Sequence, residues 1–194
     1  MLNWAKENGF PLADSYAIYA IDNAAEMGNI EVLKWLRENG CPFGENTCYS
    51  AAREGHLETL KWLRENGCDW GEGAFEGAAV GSRWEVLKWM RENGCPLDAK
   101  AYVGAAGAGS IEILKWLLEV GCPRDEDAIA HACSQGHFEV VKWLRENGFS
   151  WNEVACSNAA MEGHLEILKW LRAHGCPWGP QTCKSTIAGD RLRS

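Results

Sequence analysis

LKWLRENG stands at Leu33–Gly40 and again, letter for letter, at Leu60–Gly67. Variants follow at Leu87 (LKWMRENG), Leu114 (LKWLLEVG), Val141 (VKWLRENG) and Leu168 (LKWLRAHG). Their tryptophans, at 35, 62, 89, 116, 143 and 170, recur every 27 residues. A fixed period of about 20–50 residues marks a solenoid, in which one small unit cannot bury its apolar face alone and must stack on its neighbours.

Working outward from the phrase, Pro42–Cys68 serves as the reference unit. Asn46–Glu54 (NTCYSAARE) has helical spacing, with Gly55 at the left-handed position that ends a helix. Leu57–Asn66 (LETLKWLREN) predicts a second helix stopped by Gly67, and a proline at 42, 96, 123 or 177 prevents continuation. Helices of about ten residues do not persist alone, so stacking must stabilise them.

In the second helix Leu57, Thr59, Leu60, Trp62 and Leu63 cover an arc of roughly 220° at 100° per residue, wide enough to meet a partner helix and both neighbouring units. Glu58, Lys61 and Glu65 take the remaining face, as solvated ion pairs. The first helix instead repeats small residues. Thr47, Ala74, Ala101, Ala128 and Ala155 form one column, and Ala51, Ala78, Ala105, Ala132 and Ala159 another. Only the Cys48, Phe75, Tyr102, Ile129, Cys156 column carries bulk. The opposite arc changes from unit to unit: Tyr49, Ser50, Arg53 and Glu54 become Glu76, Gly77, Val80 and Gly81, and later Ala130, His131, Ser134 and Gln135. One face is held by packing and the other is free to vary.

Totals narrow the function classes. The 194 residues carry a net charge of −8 and the basic residues are dispersed, which argues against a nucleic-acid backbone as partner. No apolar run is long enough to cross a bilayer and no secretion signal opens the chain, so no membrane role is expected. Five of the nine cysteines (Cys41, Cys68, Cys95, Cys122, Cys176) share one position after a glycine. Equivalent positions lie about 8–10 Å apart in stacked helices, beyond the roughly 7 Å that a disulfide spans. They read as small buried apolar residues of a protein kept in a reducing compartment, cytoplasm or nucleus.

Ala51-Ala52-Arg53-Glu54-Gly55-His56-Leu57-Glu58, followed by Leu60-Lys61 and Gly67-Cys68, resembles the ankyrin repeat, and Ala159–Glu166 repeats the match. The resemblance covers essentially the whole chain. It implies an all-α solenoid of stacked helix-turn-helix units whose function is protein–protein interaction. The unit departs from the family in being shorter than the usual length of about 33 residues. The shortfall lies between the Gly-Cys turn and the first helix, where Cys41–Asn46 leaves room for a compact turn and not for a full β-hairpin finger.

Domain organisation follows as a single repeat domain over 1–194. Residues 1–10 align as a partial second helix, units follow at 11–41, 42–68, 69–95, 96–122, 123–149 and 150–176, and 177–194 form a partial C-terminal cap. The first unit holds four extra residues within Ala13–Ala20, and Gly104 and Gly107 in one first helix predict that the unit at 96–122 is the least stable.

Candidate chemistry is weak. His131, Cys133 and His137 diverge on the predicted helices, against the convergence a metal needs. His56, His137 and His164 recur with the fold at the start of second helices, which a catalytic histidine would not do. GAAGAGS at Gly104–Ser110 lacks the lysine of a phosphate loop. The row Phe43, Trp70, Leu97, Trp151 and Trp178 is expected to shield the turns by packing on the preceding helix ends.

No catalytic residue, metal or cofactor is therefore expected. The expected role is a monomeric scaffold that binds a protein partner through successive first helices. Its candidate contacts are Tyr49, Ser50, Arg53, Glu54, Glu76, Val80, His131, Ser134, Gln135, Asn158, Met161 and Glu162. An adaptor or substrate-receptor segment of a larger assembly is the alternative.

Overall fold

A computed structural model describes residues 14–179. Six helix pairs follow one another: α1 (Asp14–Glu26) with α2 (Ile30–Glu38), α3 (Thr47–Glu54) with α4 (Leu57–Glu65), α5 (Ala74–Val80) with α6 (Trp84–Glu92), α7 (Lys100–Gly107) with α8 (Ile111–Glu119), α9 (Ala128–Gln135) with α10 (Phe138–Glu146), and α11 (Glu153–Met161) with α12 (Leu165–Ala173). Among the described residues there is no strand, and Cys41–Asn46 runs as a short turn. The extra residues of the first unit lengthen its first helix, which has 13 residues against eight in α3. The partial helix expected at 1–10 and most of the cap expected at 177–194 lie outside the described residues.

Each letter of the repeated phrase has a physical task. Leu33 and Leu36 are buried against the partner helix and the neighbouring units. Lys34 reaches back to Glu31 at 3.1 Å, and Lys61, Lys88, Lys142 and Lys169 pair with the glutamate three residues before them in the same way. Asn39 Nδ2 donates to Trp35 O at 2.7 Å, so the asparagine satisfies a carbonyl of the last turn. Gly40 adopts φ +83°, which lets the Cys41 amide return to Leu36 O at 3.0 Å and the Gly40 amide to Arg37 O at 3.0 Å. That double bond pattern brings the residue after the glycine against the helix it follows. A small apolar side chain suits the position, and this explains the Gly-Cys pair. All eight described cysteines are buried free thiols. Burial pushes Cys95 and Cys122 up to about 12, so neither is ionised near neutrality.

Arginine of the phrase joins the turn to the next unit. The Arg37 guanidinium lies 4.2 Å from the centre of the Phe43 ring and donates to Cys41 O at 2.9 Å. Phe43 in turn meets Trp62 of α4 edge-on at 6.3 Å. The sandwich recurs as Arg64–Trp70–Trp89 and Arg145–Trp151–Trp170. The aromatic row therefore packs on the preceding helix end, as its position in the sequence implied, and also reaches forward to the next tryptophan. Where Leu97 breaks the row, Trp116 packs instead on Trp84 at 5.4 Å and Phe75 at 6.1 Å.

Consecutive first helices contact one another along their length, whereas consecutive second helices scarcely touch. The alanine columns are the cause: Ala51, Ala78, Ala105, Ala132 and Ala159 are fully buried, and no side-chain volume holds the backbones apart. The first-helix row is thus the inside of the curve.

A second link joins the units on that side. His56 Nε2 bonds to Glu26 O at 2.9 Å, His137 Nε2 to Gly107 O at 3.0 Å and His164 Nε2 to Ser134 O at 3.1 Å. Arg83 Nε makes the equivalent bond to Arg53 O at 2.9 Å. Each ties the start of a second helix to the last turn of the preceding unit's first helix. Asn29 and Ser110, at the same repeat position, cap their own helices instead, accepting from the amides of Val32 and Ile113.

Replacing His137 by alanine removes one such tie and is expected to lower unfolding stability by about 1 kcal/mol in a urea titration. Ser82 occupies the turn position filled elsewhere by glycine and takes φ +53°. A side chain in that region costs about 1–2 kcal/mol, so Ser82→Gly should raise stability by roughly 0.5–1 kcal/mol once the glycine's added entropy is offset.

The two glycines of α7 separate cleanly. A methyl group at Gly104 would sit 2.8 Å from Val80 Cγ2 and 3.0 Å from the Val80 amide nitrogen, whereas at Gly107 it would meet nothing within 4 Å. Gly107→Ala is expected to gain about 0.5 kcal/mol and Gly104→Ala to lose roughly 1–3 kcal/mol, both read from thermal melts.

Candidate functional site

The inner face carries a groove of about 530 Å³. Its near wall is α1, which presents Tyr19, Asp22, Asn23 and Glu26 at helical spacing on one side. Asn46, Tyr49 and Ser50 of the α3 start form its floor, and Glu72, Glu76 and Lys100 its far side. Tyr49 is half-buried because α5 carries glycine where a side chain would collide. A methyl group at Gly77 would lie 2.9 Å from Tyr49 Cδ2, so the ring covers the α5 backbone there. Tyr19, by contrast, is 68% exposed at the rim.

The electrostatics of the groove are one-sided. Four carboxylates (Asp22, Glu26, Glu72 and Glu76) face a single ammonium, Lys100. Asp22 accepts from Thr47 Oγ1 at 2.5 Å, and burial raises its pKa while that hydrogen bond opposes the shift. Burial also raises Glu76, with Lys100 as the largest opposing influence. Among the described residues no lysine, arginine or histidine lies within ion-pair distance of any of the four.

The twelve candidate residues fall into separate places. Tyr49, Ser50 and Glu76 line the groove. Arg53 and Glu54 do not line it, and Glu54 is held by Arg53 at 3.8 Å and by Arg83 at 3.7 Å. Val80 is half-buried against Gly104 of the next unit. The rest sit on α9 and α11. His131, Gln135, Met161 and Glu162 are exposed there, while Ser134 and Asn158 are half-buried. Asn158 Nδ2 is engaged with Ala130 O at 3.0 Å, and the Ser134 carbonyl receives the His164 tie. Between the two groups α7 offers Lys100, which lines the groove from the helix start, and then only Val103, Gly104, Gly107 and Ala108.

The variable arc is also less free than its sequence suggests. Gly77, Gly104, Ala130 and Ser157 are buried, because adjacent first helices approach closely enough to cover these columns. Tyr19, Asp22, Asn23 and Glu26 went unrecognised because the longer first unit obscured their register. Stepping back 27 residues from Tyr49, Ser50 and Arg53 lands on Asp22, Asn23 and Glu26.

The histidines and the cysteine weighed in the sequence for metal binding do not come together. His131 is exposed and bonded to Asp127 O at 3.2 Å, Cys133 is fully buried, and His137 is committed to Gly107 O. Among the described residues no group of three or more histidine, cysteine, aspartate or glutamate side chains converges to hold a metal ion. None of their helices is long and apolar enough to cross a membrane.

The sequence profile of ankyrin repeats (many copies) matches residues 21–64 and 129–172, which correspond to α1–α4 and α9–α12. No curated protein matches the chain. Both matched stretches contain the inner alanine columns, the glycine turn with its histidine tie and the second-helix leucines. The chain belongs to the ankyrin-repeat family, in a form whose 27-residue units are all helix and turn.

Proposed function

We propose that this protein is a recognition scaffold that binds a protein partner through the variable side chains of successive first helices and performs no chemistry of its own. Ankyrin repeats are in general protein–protein interaction modules. The observation that carries the reading here is the groove on the inner face, built from Tyr19, Tyr49 and Glu76 on three consecutive first helices. These side chains stand on backbone held by alanine packing beneath them, so their positions are set before a partner arrives. Preorganised contacts bind with less ordering cost.

The outer face suits this role poorly. On five of the second helices a glutamate of the first turn holds the lysine three residues on, and the tryptophans are half-buried between units. Affinity in such interfaces is concentrated in a few aromatic and charged anchors.

Affinity capture with the wild-type chain is expected to recover a partner that a Tyr49→Ala, Glu76→Ala, Met161→Ala variant loses, with each anchor worth about tenfold in Kd. A Glu58→Ala, Glu85→Ala variant of the outer face should keep it. Identical partner sets from both variants, each with an unchanged helical circular-dichroism signal, would remove the inner face from the proposal.

A further inference from the structure

From the make-up of the groove we infer the chemical class of its occupant: an extended polypeptide segment bearing at least two lysine or arginine side chains, lying across α1, α3 and α5. The inference rests on the recognition role proposed above and names the partner chemistry for its N-terminal half.

Three independent features point there. On the outer helices Glu31, Glu58, Glu85, Glu139 and Glu166 each hold a lysine of their own helix. The four groove carboxylates have no such partner among the described residues. Glu76 is half-buried without an ion-pair partner, and removal from water already disfavours its charge. A cation brought by a partner would relieve that cost, whereas phosphate groups of nucleic acid or of anionic lipid would add to it.

The spacing excludes a single small cation. The acidic groups stand on α1, on α5 and in the turn before α5, and among the described residues they do not converge on any one point that could hold a metal. Matching them requires several positive charges separated along a line. Adjacent first helices lie about 8–10 Å apart, so the groove from α1 to α5 measures on the order of 20 Å. An extended chain covers that with about six residues.

The tyrosines supply the third feature. Tyr19 is 68% exposed at the rim and Tyr16, one helical turn earlier, is 73% exposed. Tyr49 lies between the carboxylates of α1 and α5. An aromatic face beside a carboxylate is a favourable berth for a guanidinium, which stacks on the ring and donates to the oxygen together.

The test is a fluorescence-anisotropy titration of the full chain with a labelled peptide of about seven residues, alternating arginine and serine, to match the groove length. The same peptide with glutamate for arginine serves as reference. The arginine peptide should bind, the glutamate peptide should not, and affinity should fall as salt is raised. Glu72→Gln with Glu76→Gln should weaken binding about tenfold and Tyr19→Ala about threefold. Glu31→Gln with Glu58→Gln removes the same charge from the outer face and should change it less than twofold.

Equal losses in the two glutamine variants would overturn the inference, since binding would then follow net charge alone. Displacement of the arginine peptide by calcium chloride at equimolar concentration would overturn it in favour of a point cation. Absence of arginine-peptide binding, with capture of a partner still lost in the inner-face alanine variant, would overturn the cationic assignment and leave the recognition role standing.

Discussion

The close approach of consecutive first helices is the constraint on which the rest of this molecule depends. Two columns of small residues, Ala51 and Ala52 with their equivalents (all alanine but Cys133), leave little side-chain volume where the helices touch, and glycines at 77 and 104 let the backbones come closer still. The single bulky column must then adjust unit by unit. Cys48 meets Cys68 with sulfur atoms 3.5 Å apart, while Tyr102 fills the same site two units later and reaches Phe149 at 4.9 Å. Volume lost in one unit is regained in another, as close packing demands.

Outside that row the units are held by a different principle. Three outer junctions are a guanidinium, an aromatic ring from the turn and the next tryptophan in sequence, and at a fourth Trp116 packs on Trp84 and Phe75. These side chains are large, so the second helices stand apart where the first helices touch. Small residues inside and large residues outside give the stack its sense of curvature. The concave surface is therefore a consequence of side-chain volume, and the groove between α1 and α5 forms where α1 is longest and α5 shortest.

Much of this was legible in the sequence. The 27-residue period, the alanine columns and the Gly-Cys turns each record a packing requirement that repeats, so the helices, their order and their buried faces follow directly. The site was less legible because its residues do not repeat. Columns taken as free at Gly77, Gly104, Ala130 and Ser157 are covered, an outcome of helix separation that no periodicity encodes. Glu54 varies as a recognition residue would, yet it is engaged by Arg83 of the next unit. The histidines resembled turn residues; their bonds to carbonyls 30 residues back require knowledge of how far apart the units stand.

That unevenness shapes what the scaffold can recognise. Because alanine and leucine hold the stack, side chains on the inner arc can change without loss of fold, which separates stability from specificity. The separation fails wherever the arc itself is used for packing, as it is at Gly104 of α7. Gly104 is spent on contact with Val80, and the neighbouring positions project too little to hold a partner. The recognition surface proposed above is consequently divided into an acidic, tyrosine-edged groove at one end and the His131–Glu162 surface at the other. A partner engaging both would have to cross the small residues of α7 that follow Lys100, so each end should discriminate independently, with distant sites contributing additively.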